Sequence, residues 1–172
     1  SFFIALGNIK SKYTKKGWIN RNRFLMNCTD AIFSIPLKKA SDFLDIVERE
    51  ISPSYDRDKL LAKLRRAYSG APYFEQTYCL LEQIVMSKEI NLFHCVYRSV
   101  LQVCKHLDIN TPIVISSEVP IDHCLKSEER VLAICEAYKA SVYINPIGGI
   151  KLYSKQTLVA KLLGKFGRRI GR

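Results

Sequence analysis

The chain lacks any apolar run near the roughly 18 consecutive residues that would cross a bilayer as a helix. It also lacks a secretion leader: the short apolar run Ser1 to Leu6 is followed by basic residues rather than preceded by them. Membrane insertion is therefore not expected, and a cytoplasmic location is. An initiator Met is missing and the chain opens in what reads as a strand. A fragment that has lost its natural beginning is expected.

The six cysteines, Cys28, Cys79, Cys95, Cys104, Cys124 and Cys135, include no C-x-x-C pair. Without a leader they read as reduced thiols. Cys79, Cys104 and Cys135 fall on the apolar stripes of predicted helices, where Cys acts as a small hydrophobe. A zinc site would need His94-Cys95 and His123-Cys124 to converge at spacings that match no standard site. No metal and no cofactor is expected. The three histidines lie apart in sequence, so no Ser-His-Asp arrangement is assigned. The G-x-x-x-x-G-K-[ST] spacing of a phosphate-binding P-loop is absent.

Acids are missing from both ends. Residues 1–23 hold six basic side chains and no Asp or Glu, and residues 155–172 hold another six and none. Removing those twelve from the total of 27 leaves 15 basic residues against 16 acidic ones. The net charge of +11 thus belongs to the ends and not to the body. A uniformly basic face would have pointed to nucleic acid; this distribution makes such a partner unlikely.

What is present reads as one α/β domain of ordinary composition, 48% apolar and 25% charged over 172 residues. Phe2 to Leu6 and Ala31 to Leu37 read as strands, Pro36 marking the end of the second. Ser52-Pro53 opens a helical stretch in which Leu60, Leu61, Leu64, Ala67 and Tyr68 share one face. A second helix carries Phe74, Tyr78, Leu81 and Val85. A third starts at the N-cap candidate Asn91, with Phe93, Val96, Val100, Val103 and Leu107 along it. Pro112 to Ser116 then reads as a strand, Ser127-Glu128-Glu129 as a helix start, and Ser141 to Asn145 as a further strand. Strand, helix and strand make a βαβ unit, so a mostly parallel sheet flanked by at least four helices is expected. Residues 1–154 form that domain. Residues 155–172 are set apart as a basic, partly disordered tail, because Gly164, Gly167 and Gly171 interrupt any helix there.

Two segments carry most of the candidate chemistry. Lys15 to Arg23 (KKGWINRNR) places four cations and two Asn beside the single Trp. Arg21 and Arg23 offer planar forks for phosphate or carboxylate, and Asn20 and Asn22 offer both donor and acceptor groups. If Trp18 to Phe24 is extended, Asn20 and Asn22 share one face and the two arginines the other. The alternative is a solvated basic loop with Trp18 docked in the core. Tyr143 to Tyr153 (YINPIGGIKLY) ends a strand at Asn145 and continues through Gly148-Gly149, where backbone N–H groups can approach a ligand. The alternative is a tight structural turn. Ser116-Ser117-Glu118 ends another strand, with hydroxyls for the same ligand or a simple strand stop. Glu129-Arg130 reads either as a site pair or as an exposed surface pair, and the exposed pair is preferred.

These stretches, together with IPLKKAS (Ile35 to Ser41), AYSGAPYFE (Ala67 to Glu75), ISSE (Ile115 to Glu118) and EERVLAIC (Glu128 to Cys135), occur in an order that resembles the WbqC-like family of bacterial proteins. The likeness runs from Phe2 to Ser154, and GWINRNR and YINPIGG are its most specific parts. It implies a cytoplasmic protein of O-antigen, lipopolysaccharide or other surface-polysaccharide biosynthesis. The implied activity is a transferase that modifies a nucleotide-activated sugar by acyl or aminoacyl transfer to an amino sugar. No catalytic residues carry over. Members usually begin with a strand and a Gln-Pro-aromatic segment upstream of anything here, and end in a Phe-containing helix and a hydrophobic strand. If the missing start lines the site, this chain is inactive.

The expected ligand is therefore a nucleotide-activated sugar or a similar anionic small molecule. Trp18, Asn20, Arg21, Arg23, Ser116, Ser117, Tyr143, Asn145, Gly148, Gly149 and Tyr153 are expected to bind it around one cleft. The competing classes are a non-catalytic nucleic-acid binder that uses the basic ends, and a scaffold of a polysaccharide-assembly complex.

Overall fold

A computed structural model describes residues 4–6, 17–41 and 43–140. The elements in chain order are β1 (Ile4–Leu6), β2 (Arg21–Met26), β3 (Thr29–Ser34), a 3-10 turn (Ile46–Glu48), α1 (Arg57–Tyr68), α2 (Phe74–Val85), α3 (Leu92–His106), β4 (Ile113–Ile115) and α4 (Ser127–Ala137). The chain divides into two compact units. One is formed by Ser1–Asn8 with Thr111–Arg172, the other by Ile9–Asn110.

The continuous unit begins with a hairpin. β2 and β3 run antiparallel in a register from Arg21 opposite Ser34 to Met26 opposite Thr29. Asn27 and Cys28 join them, both at positive φ (52° and 58°). That pair of angles belongs to the two-residue turn whose twist matches the strands it joins. Alternation along the strands gives the hairpin two faces. Phe24, Met26, Ala31 and Phe33 turn toward α1 and pack with Leu60, Leu64, Ala67 and Tyr68. Leu81 and Val85 of α2 complete this core. The ring of Phe24 lies 6.3 Å from that of Phe33 and 6.5 Å from that of Tyr68. The Tyr68 hydroxyl accepts the Leu25 N–H at 2.9 Å, so the end of α1 is tied to β2.

The helices start where side chains can take up the first free N–H groups. Asp56 accepts the Lys59 N–H at 2.8 Å, and α1 therefore begins at Arg57, four residues after the expected Ser52-Pro53 start. The serine hydroxyl there instead accepts the Ser54 N–H in a turn. Asn91 caps α3 as its sequence suggests, accepting the His94 N–H at 3.1 Å. Its amide also donates to the Val47 carbonyl oxygen at 2.6 Å, which fixes the helix start to the 3-10 turn. Behind that junction Leu92, Phe93 and Ile51 are buried.

In the discontinuous unit β1 pairs in parallel with β4, from Ile4 opposite Ile113 to Leu6 opposite Ile115. Val119, Ile134 and Cys135 are its buried apolar residues among those described.

Several expectations are corrected. The fold is mixed α/β, and the described residues form four α-helices, but their strands make one parallel pair and one antiparallel hairpin rather than a mostly parallel sheet. The cause is the Asn27-Cys28 turn, which sends the chain straight back instead of across a helix. β3 ends at Ser34, before Pro36, and Leu37 makes an isolated bridge to Ile51. α4 starts at Ser127 as expected, with Lys126 in extended backbone as its cap residue and Ser127 at a left-handed φ of 48°. Cys79 is exposed, one step round the helix from buried Tyr78 and on the side of Glu75 and Glu82. The expected strand Ser141 to Asn145 and the tail 155–172 lie outside the described residues.

Candidate functional site

The hairpin's outward face carries the first candidate segment. Gly17 and Trp18 bend the chain and Ile19-Asn20 turn it into β2. Asn20 is buried. Its amide donates to the Ile35 carbonyl oxygen at 2.9 Å, and its own carbonyl oxygen accepts the Ile35 N–H at 2.7 Å. This double link closes the open end of the hairpin and presents Trp18 outside it. β2 starts only at Arg21, so Asn20 lies outside the strand and does not share a strand face with Asn22.

Trp18 is not docked in the core: it is 57% exposed. The guanidinium carbon of Arg21 lies 5.4 Å from the indole centre and that of Arg23 lies 6.0 Å from it. Both are within the range of cation–π attraction. Arg21 Nε donates to the Gly17 carbonyl oxygen at 2.9 Å, which holds the fork beside the ring. Arg23 reaches across the strands to Asp30, Nη1 to Oδ2 at 3.1 Å. Trp18, Arg21, Asn22 and Arg23 line an open hollow of about 270 Å³. Asn22, absent from the expected set, thus joins the arginines. Its Oδ1 accepts the Arg23 N–H at 2.8 Å.

This arrangement offers a flat apolar face, two fixed positive charges and an amide within one hollow. It suits an anion that carries a planar ring. Among the described residues it presents no thiol, imidazole or carboxyl nucleophile lining that hollow. Elsewhere in the same unit, burial raises the pKa of the Tyr55 hydroxyl and of the Cys95 thiol, against a lowering by nearby Arg57. Both therefore stay protonated at neutral pH and are poor nucleophiles.

Ser116 and Ser117 follow β4 in the discontinuous unit, so they stand at a strand's carboxyl end as expected. Ser116 is buried and Ser117 half-buried. Tyr143, Asn145, Gly148, Gly149 and Tyr153 lie outside the described residues, as does their expected meeting with the Trp18 segment. Arg130 was expected at the surface, paired with Glu129, yet it is buried and bonded to Ser116. The available signal was its spacing: Arg130 and Ile134 are four apart and share one face of α4.

Among the described residues no helix is long and apolar enough to cross a membrane. Comparison with protein families finds that the model of the WbqC-like protein family matches residues 3–162. The match runs past Ser154, into the segment set apart as a tail. No curated protein matches the chain, and no solved structure does.

Proposed function

The chain belongs to the WbqC-like protein family, and from that premise we propose that it binds a nucleotide-activated sugar, or a closely similar anionic small molecule, in the hollow beside Trp18. The reaction we assign to it is acyl or aminoacyl transfer to an amino sugar during bacterial surface-polysaccharide synthesis, in the cytoplasm. The observation that carries the reading is an exposed indole with two guanidinium groups against it. Trp18 stacks on the base or a sugar face, and Arg21 and Arg23 hold the diphosphate. Arg23 must exchange Asp30 for phosphate, and that exchange is easy. Both partners of the pair are about 60% exposed, and such a pair contributes only about 0–1 kcal/mol. Ser116, Ser117, Tyr143, Asn145, Gly148, Gly149 and Tyr153 are proposed as ligand contacts of their own unit, the glycines through backbone N–H groups.

Trp18 is the sole tryptophan, so its fluorescence reports on the hollow alone. A nucleotide sugar is expected to quench or shift that emission in a saturable way. Arg21→Gln with Arg23→Gln should weaken the apparent affinity about tenfold or more, since each lost charged hydrogen bond contributes about 1.5–3 kcal/mol. An emission indifferent to millimolar nucleotide sugars would refute the reading. A stacking Trp beside arginines would also suit single-stranded nucleic acid. That competitor predicts quenching by oligonucleotides, with an affinity that falls steeply as salt rises. A scaffold would show neither response.

A further inference from the structure

Arg130, in the first turn of α4, is 8% exposed. Its Nη2 donates to the Ser116 carbonyl oxygen at 3.2 Å and its Nη1 to the His123 carbonyl oxygen at 3.4 Å. Nη2 also lies 3.4 Å from His123 Nδ1. Both carbonyl partners are neutral, and all three contacts are long. Bonds from a guanidinium to an anion close to about 2.7–2.9 Å.

Among the described residues no carboxylate pairs with Arg130; the ion pairs are Arg23–Asp30 and Lys38–Glu50. Residues 1–16 and 141–172 contain no Asp or Glu, and Asp42 is the one acidic side chain outside the described residues. Glu128 and Glu129 precede Arg130 directly, but they project about 200° and 100° away round the helix. A buried cation without a counter-charge is strongly disfavoured.

A second, separate observation falls on the residue whose backbone carbonyl Arg130 bonds. Ser116 is 3% exposed, and its hydroxyl oxygen is buried without a hydrogen-bond partner. Such orphaned buried groups are rare. One oxyanion would answer both, taking short bonds from the Arg130 fork and accepting a hydrogen bond from the Ser116 hydroxyl.

We propose that Arg130 and Ser116 form a binding site for a single oxyanion group, phosphate or carboxylate. The proposal deepens the reading above, and its place in a ligand's recognition rests on that reading, of which Ser116 is a part. The test uses the full chain. Its melting temperature is followed in sodium phosphate and in sodium acetate, against sodium chloride at equal ionic strength. At least one of the two oxyanions should raise the midpoint saturably, by about 5 °C or more at hundredfold excess over its Kd. Phosphate acting alone identifies a phosphorylated ligand, and acetate acting alone a carboxylate ligand. Arg130→Gln should abolish the shift, and Ser116→Ala should weaken the affinity about tenfold. Arg21→Gln with Arg23→Gln should keep it, so a failure at the Trp18 hollow is read apart from a failure here. No saturable shift in the natural chain, or an equal shift in Arg130→Gln, overturns the proposal. If Arg130→Gln does not fold, an unchanged affinity in Ser116→Ala overturns it.

Discussion

Phe24→Ala is expected to lower the unfolding free energy by about 3–5 kcal/mol, the largest loss from any single change in the hairpin. Phe24 is buried between Phe33 and Tyr68 and packs against Leu60 and Leu64. Truncation removes the ring's burial and leaves a void that the strands and α1 can only partly close. A domain of this kind has about 5–15 kcal/mol in all, so the variant sits near the edge of folding. The same change should loosen β2 and with it the hollow beside Trp18, so ligand quenching should weaken as well. Ile32 provides the control. It is exposed on the opposite face of the same hairpin, and Ile32→Ala should stay within about 0.5 kcal/mol. Urea unfolding of both proteins decides the matter. Equal losses would mean that the two faces of the hairpin are not distinguished as described.

Leu92→Ala comes next, at about 2–5 kcal/mol. Leu92 has no exposed surface at all, and it opens α3 at the junction where Asn91 caps the helix and reaches back to Val47. Its own N–H donates to the Arg49 carbonyl oxygen at 2.9 Å, which fixes the side chain's direction and limits how far the site can collapse. Leu107, just past the end of the same helix, is exposed, and Leu107→Ala should change stability by no more than about 0.5 kcal/mol. A loss below about 1 kcal/mol for Leu92→Ala would show that the junction repacks freely.

The helices were legible in the sequence because their signals are local. Leu60, Leu61, Leu64, Ala67 and Tyr68 repeat at the helical period, and Asn91 is an N-cap by chemistry as well as by position. The hairpin was hidden because its turn is Asn27-Cys28, without the glycine that usually marks two residues at positive φ. The candidate site was half legible. The residue types of Trp18, Arg21 and Arg23 named the chemistry, but which of them face one another depends on where β2 begins. Asn20 falls one residue before that start, and its role is to close the hairpin. Arg130 was misread for a different reason. Charge beside charge in a helix suggests solvent, and only tertiary packing shows that one of the two side chains is turned inward.

The parallel pairing has a consequence for the order of assembly. Ile4 pairs with Ile113, 109 residues later in the chain, while the unit between them is continuous in sequence. During synthesis β1 emerges well before its partner and must wait through the 109 residues that separate Ile4 from Ile113. The intervening unit meets no such delay, since its hairpin and three helices close short loops. Distant pairings form late in general, although the entropy of closure grows only by about 0.6 kcal/mol per doubling of loop length. The unit that carries Trp18 is therefore complete early, and the one that carries Arg130 is finished last.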